Sequence, residues 1–198
     1  MNNPPVILAS ASPRRRELLD QLNLSFTVEA PHVDEKMLDV SQLSPKETVI
    51  KLAEYKGESV AKRHSEALVI AGDTVVVLNR EVLGKPEDRQ HAFEMLSRLQ
   101  GQEHHVFSAI ALFYRGQFCA DALTTKVKMK PMNDREIWQY IETGEPMDKA
   151  GAYGIQGYGS ILVEHIEGCY FNVMGMSLHL LDKLYQEIGL GSLCSATV

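Results

Sequence analysis

The residues best suited to chemistry stand near the start of the chain. In Leu8-Ala9-Ser10-Ala11-Ser12-Pro13-Arg14-Arg15-Arg16-Glu17-Leu18-Leu19, a short apolar run gives way to two serines, a proline and three consecutive arginines. Ser12 suits a helix N-cap and Pro13 the first helical turn. The arginines then fall at the positive end of the helix dipole, where each cation costs ~0.3–1 kcal/mol. A bound anion removes that conflict, because backbone amides, the dipole and an arginine fork together make a phosphate site. A solvated basic turn fits the same residues. Two further cations stand out. Lys56 shares the apolar stripe Val49, Leu52, Ala53 and Val60 of a helix, so it either snorkels at the edge of the core or turns its ammonium towards an anion. Lys85, in Gly84-Lys85-Pro86, is presented by a loop that proline stiffens. The proline after the lysine and the missing upstream glycines exclude a Walker loop.

Acids would complete such a site. A polyphosphate is normally handled with Mg²⁺, held by one or two carboxylates and by the phosphates themselves. Asp34-Glu35 and Asp73 are the candidates. Asp73 follows the apolar run Leu68 to Ala71 and Gly72, which puts it at a strand's carboxyl end, where α/β sheets bind ligands. An Asp that only caps a turn is the alternative. The stretch Gly151-Ala152-Tyr153-Gly154-Ile155-Gln156-Gly157-Tyr158-Gly159 does not match a dinucleotide fingerprint. It is either a wall that lets a base approach the backbone, with the Gln156 amide turned to a base edge, or a tight loop packed for its own sake. His104-His105 lies in an expected strand with the two rings on opposite faces and is structural. No Gly-x-Ser-x-Gly elbow occurs, and no cysteine has the surroundings of a thiolate nucleophile.

These residues need elements to position them. Val6 to Ala9 is expected as a buried strand and Arg14 to Leu22 as a helix. Phe26 to Glu29 is a second strand, and Ser44-Pro45 starts a helix that runs to about Arg63. Leu68 to Ala71 and Thr74 to Leu78 are strand, with a turn at Asn79-Arg80. Glu87 to Leu99 is a helix ended by Gly101. Val106 to Tyr114 and Phe118 to Met129 form a long hairpin about Arg115-Gly116, and Asp134 to Thr143 is a helix. Ser160 to Val173 is expected as another strand pair about Glu167-Gly168, followed by a closing helix from Met176 to Ile188. There is no internal repeat, linker or low-complexity tract. The order of elements implies an α/β fold with a mixed sheet flanked by helices, and a single domain over residues 1–198.

Composition narrows the classes. A chain of 198 residues with 44% hydrophobic content can bury a real core. Three scattered cysteines suggest neither a disulfide framework nor zinc. The formal charge of −6 argues against a nucleic-acid polymer as partner. The first residues lack a secretory pattern and no apolar run approaches the ~18 residues of a membrane span, so a cytoplasmic protein without membrane contact is expected.

Taken in order, the motifs resemble those of the Maf-type nucleotide pyrophosphatases. They are Ser10-Ala11-Ser12-Pro13-Arg14-Arg15, Asp34-Glu35, Lys56, Gly72-Asp73-Thr74, Gly84-Lys85-Pro86 and Asp148-Lys149-Ala150-Gly151-Ala152-Tyr153-Gly154-Ile155-Gln156-Gly157. Each is weak alone and specific in this order, and the resemblance runs from Leu8 to about Leu184. It implies an elongated α/β fold with a central cleft between two lobes, a homodimer, and hydrolysis between the α and β phosphates with Mg²⁺ or Mn²⁺. Asp73 matches the proton acceptor, with Glu35 as the other metal-binding acid. Ser10, Arg14, Glu35, Lys56 and Lys85 match residues lining the phosphate and metal side, and Arg15 completes the arginine motif there. Arg14, Thr74 and Gln156 match positions that sort substrates, in a combination similar to the subgroup acting on dTTP and UTP. The subgroup acting on 7-methyl-GTP tends to have Trp, Gln and Glu instead. A pyrophosphatase for modified nucleotides and a nucleotide-binding regulator of septum formation are the other activities the resemblance leaves open. Gly175-Met176-Ser177 departs from the Gly-Leu-Pro of many relatives, and Ser suits the cap of the last helix.

Overall fold

Alternating apolar runs and helical stripes produce a mixed sheet with helices alongside. The computed structural model describes residues 4–196. Its main elements are β1 (Val6–Ala9), α1 (Pro13–Asp20), β2 (Thr27–Val28), α2 (Pro45–Ala61), β3 (Leu68–Leu78), β4 (Glu81–Leu83), α3 (Arg89–Leu99), β5 (Glu103–Tyr114), β6 (Gln117–Met129), α4 (Asp134–Glu142), β7 (Val163–Glu167), α5 (Tyr170–Met174), α6 (Leu178–Glu187) and α7 (Leu193–Ala196). The seven-stranded sheet has the order β2-β1-β3-β5-β6-β7, with β4 paired to β3 off this path. β1 is parallel to both β2 and β3, in the register Val6 to Leu68 and Ala9 to Ala71. β4 runs antiparallel to β3, and β7 antiparallel to β6. Parallel neighbours bury β1 completely, which is why it reads as an unbroken apolar run.

The punctuation is local chemistry. Asn79-Arg80 and Arg115-Gly116 both take positive φ, as two-residue hairpin turns require. α2 starts in a capping box: Ser44 Oγ accepts from the Glu47 amide at 3.3 Å, and the Ser44 amide donates to Glu47 Oε2 at 2.8 Å. α4 opens on the same device, with Asn133 and Glu136.

The chain divides into two compact units. One comprises residues 1–73, 108–123 and 175–198, the other residues 74–107 and 124–174. In the first, Leu8, Leu18, Leu19, Leu68, Ile70, Ile110 and Leu112 are fully buried. The second has a core that joins Leu83 after β3 and Met95, Leu96 and Leu99 of α3 to Ile137, Tyr140 and Ile141 of α4 and to Tyr153. Among the described residues no helix is long and apolar enough to cross a membrane.

Three expectations need correction. β3 does not end near Ala71; it continues unbroken to Leu78, and Asp73 lies inside it. What ends at Ala71 is the parallel pairing with β1, so Asp73 sits where that parallel ladder stops. Ser12 holds the N-cap position of α1 without a side-chain cap bond; its own amide donates to Ser10 Oγ instead, at 3.2 Å. Residues 160–173 do not form two strands. Only Val163–Glu167 is strand, because Thr125 Oγ1 takes the Cys169 amide and donates to the Cys169 carbonyl, both at 3.1 Å. Asn172 then donates to the Val106 carbonyl and to Thr125 Oγ1, which folds the segment into the short α5 rather than a ladder.

Candidate active site

The first unit gathers most of the expected polar residues. α2 carries Lys56 beside its buried face of Val49, Ala53 and Val60, and the ammonium is shared by two acids. It lies 2.5 Å from Asp73 Oδ1 and 3.0 Å from Glu35 Oε1. The Lys56 and Asp73 side chains are only 14% and 12% exposed, whereas Glu35 is 50% exposed. The ammonium of Lys56 thus faces two carboxylates of the protein. The adjacent pair Asp34 and Glu35 also divides its labour. Asp34 accepts from the Lys36 amide at 3.0 Å and caps the turn Glu35–Met37, which leaves Glu35 to reach Lys56.

The basic turn is organised from behind. Ser10 is buried directly after β1, and its Oγ accepts from Arg15 Nη1 at 3.1 Å. Arg15, expected among the substrate contacts, turns inward: Nε donates to the Gly175 carbonyl at 2.9 Å, so this guanidinium is spent largely on the protein. Burial lowers its pKa from the ordinary value, Asp73 pulls it back up, and Arg14 and Glu35 add smaller opposed effects. Gly72 is needed beneath it, since a Cβ there would lie 2.9 Å from the Ala109 carbonyl and 3.2 Å from Arg15 Nε. Arg14 is half-buried in the first turn of α1. Sequence reasoning missed Ser108, buried on β5, whose Oγ donates to the Asp73 carbonyl at 3.2 Å and pins the backbone that carries the acid. It also missed the Gly175 carbonyl. Neither had a signal beyond residue type.

The second unit carries Thr74, Lys85 and Gln156. Thr74 follows Asp73 in β3 and is half-buried. Lys85 is exposed just past β4 and makes no hydrogen bond or ion pair among the described residues. The Gly84 carbonyl beside it accepts from the Gly151 amide at 2.9 Å. Gln156 is half-buried, and its side-chain amide likewise makes no hydrogen bond among the described residues. The glycines around it serve the loop itself. A Cβ on Gly157 would meet Glu145 Oε1 at 2.3 Å, and one on Gly159 would meet the Gly154 carbonyl at 2.2 Å. His104 is buried on β5 and shares a 2.6 Å hydrogen bond with the Tyr153 hydroxyl, in keeping with a structural role.

The donor set suits a hard cation in a particular way. Among the described residues no group of three or more His, Cys, Asp or Glu side chains could hold a metal, so an all-protein cage is absent. Glu35 and Asp73 nevertheless aim carboxylate oxygens at one common positive centre, the Lys56 ammonium. Two hard oxygen donors of this kind fit the Mg²⁺ mode, in which substrate phosphates and water supply the rest.

The chain is similar to curated proteins described as dTTP/UTP pyrophosphatases. It is 47% identical over 174 residues to that of Halalkalibacterium halodurans, covering 88% of this chain and 90% of the relative. To that of Clostridioides difficile it is 45% identical over 184 residues, covering 92% and 94%. To that of Desulforamulus reducens it is 44% identical over 187 residues, covering 93% and 97%. A match to the family described as Maf-like protein extends over residues 5–188, which takes in every side chain discussed above, and the chain accordingly belongs to the Maf family.

Proposed function

We propose that this protein is a nucleoside triphosphate pyrophosphatase that hydrolyses dTTP and UTP to the nucleoside monophosphate and pyrophosphate. The observation that carries the chemistry is the Lys56 ammonium held between Asp73 and Glu35 beside the Ser10 to Arg15 turn. The choice of substrate rests on relatives of this description and on Arg14, Thr74 and Gln156.

Water attacks the α-phosphate, with Asp73 as proton acceptor. Lys56 donates to Asp73 Oδ1, and because a carboxylate that also holds a metal is a poor base, Glu35 is the substitute proton acceptor wherever Asp73 serves as ligand. A divalent cation such as Mg²⁺ or Mn²⁺, held by Glu35 and Asp73, would screen phosphate charge and polarise the scissile bond. Arg14, Lys56 and Lys85 stabilise the charge that grows on the leaving pyrophosphate. Arg15 holds Ser10 and the turn in place from the protein side. Gln156 turns its amide to the base, where it can both donate and accept. The family resemblance further supports a cytoplasmic homodimer, which light scattering of the purified protein would check.

The test is a metal-dependent assay of dTTP, UTP, CTP and 7-methyl-GTP with product identification. Pyrophosphate and the monophosphate should appear from dTTP and UTP and disappear with a chelator. Asp73→Asn should lower kcat by roughly 10²–10⁴-fold. Near-normal turnover in that variant would remove Asp73 from the mechanism, and no pyrophosphate from any substrate would end the assignment.

A further inference from the structure

Gln156 is presented by backbone that is tied down two residues away on either side. On its N-terminal side, the Gly154 amide donates to the Tyr140 hydroxyl at 3.2 Å. Tyr153, one residue earlier, is buried and bonded to His104, so this end of the loop is fastened into the core of the second unit. On its C-terminal side, the Glu145 carboxylate accepts from the Tyr158 amide at 2.9 Å through Oε1 and from the Gly159 amide at 3.1 Å through Oε2. These two amides open the turn Gly157–Leu162, and Glu145 fills the place an external anion would take. Glu145 is itself anchored, because Lys149 Nζ donates to its carbonyl at 2.6 Å and to Asp148 Oδ1 at 2.7 Å.

The glycines show how closely the carboxylate approaches. With Gly157 at φ +60 a side chain would be strained, and its Cβ would overlap Glu145 Oε1. Gly159 is closed to a Cβ by the Gly154 carbonyl and by the Tyr140 hydroxyl at 2.7 Å. Between the ties, Gln156 keeps an extended backbone and leaves its amide unspent among the described residues. A long side chain with an uncommitted amide specifies a hydrogen-bonding ligand only if its backbone does not drift, since a misplaced donor or acceptor loses most of its discrimination.

We propose that Glu145 is a positioning residue for base selection: its carboxylate holds the Tyr158 and Gly159 amides and, opposite the Tyr140 tie, fixes the backbone from which Gln156 reads a pyrimidine base. This rests on the assignment of Gln156 to the base given above. The Glu145 carboxylate is committed to the Tyr158 and Gly159 amides, so its loss acts on recognition rather than on the hydrolytic step.

The experiment measures kcat and KM for dTTP, UTP and CTP in the wild type, Glu145→Ala, Gln156→Ala and the double variant. Each single variant should lower kcat/KM for dTTP by about tenfold, the worth of one well-placed hydrogen bond, mainly through KM. The preference for dTTP over CTP should shrink alongside. The double variant should be no worse than Gln156→Ala alone, because the two act as one unit. Glu145→Gln keeps one acceptor oxygen and should recover part of the preference. Effects that multiply in the double variant, or an unchanged preference in Glu145→Ala, would overturn the inference. If Glu145→Ala does not fold, Tyr140→Phe, which removes only the hydroxyl on the Gly154 amide, decides the matter by the same preference ratio. A wild type that cleaves none of the three would sink the functional assignment; an active wild type with an unaltered Glu145→Ala preference would sink this inference alone.

Discussion

Lys56→Met removes an ammonium while keeping an unbranched side chain of similar length on α2, and it tests whether the Lys56–Asp73 pair organises the site. At an effective dielectric of about 20, unit charges 2.5 Å apart attract by roughly 6–7 kcal/mol. Much of that is offset by the several kcal/mol needed to withdraw each ion from water, as the 14% and 12% exposures of the two side chains require. Removing only the cation forfeits the attraction and keeps the cost for Asp73, which for buried pairs amounts to about 3–5 kcal/mol. The Arg15 charge still acts on Asp73, which places the expected loss near the lower end, ~3 kcal/mol. Glu35, half in solvent, adds at most ~1 kcal/mol. For a chain of this length that corresponds to a fall in Tm of roughly 6–12 °C. Thermal unfolding followed by circular dichroism measures it, in chelator and without nucleotide so that no ligand props up the folded state. Asp73→Asn alone should cost only ~1 kcal/mol, because Lys56 keeps Glu35. The double variant Lys56→Met/Asp73→Asn should recover most of the loss of Lys56→Met, since removing both members of a buried pair is often near neutral. A double variant that loses the sum of the two singles would show that the charges are not coupled, and the reasoning about the site would fail with it.

Other perturbations probe the scaffold. Arg15→Lys cannot serve both the Gly175 carbonyl and Ser10 Oγ with the geometry of a guanidinium, and should lose ~1–3 kcal/mol of stability in denaturant unfolding. Gly159→Ala forces the loop away from the Gly154 carbonyl, should cost ~1–3 kcal/mol, and should speed limited proteolysis between residues 153 and 162. His104 gives a pH dependence. Burial, with a smaller effect of His105, pushes it from 6.5 to about 4, so the unfolded chain binds a proton in a range where the folded protein does not. Its contribution is therefore complete above 6.5 and is lost as pH falls towards about 4, a change of ~3 kcal/mol. The stability difference between wild type and His104→Phe should narrow by that amount across the same interval; a constant difference would show that His104 is not buried in neutral form.

Local order was legible because it is written in local chemistry. Pro45 behind a Ser44 and Glu47 box, the Asn79-Arg80 and Arg115-Gly116 turns and the apolar runs of β1 and β3 all specify themselves within a few residues. The second strand expected in residues 160–173 failed because a side chain remote in sequence, Thr125, took the Cys169 amide and carbonyl that a ladder would have used, and Asn172 within the segment bonded across to Val106 and Thr125. The site divides in the same way. Residue types and spacing were enough to single out Asp73, Lys56, the Asp34-Glu35 pair and the arginine turn as candidates, since a cation on an apolar stripe and an acid after a buried run are conflicts visible in one dimension. Which of Asp34 and Glu35 faces the ammonium, that Arg15 is spent inward on Gly175, that Ser108 braces Asp73, and that Glu145 occupies the amides beside Gln156 were decided only by tertiary structure. Those choices depend on which atoms come within about 3 Å across 13 to 160 positions of chain, and hydrogen bonding at that range is a property of the folded surface that no local pattern encodes.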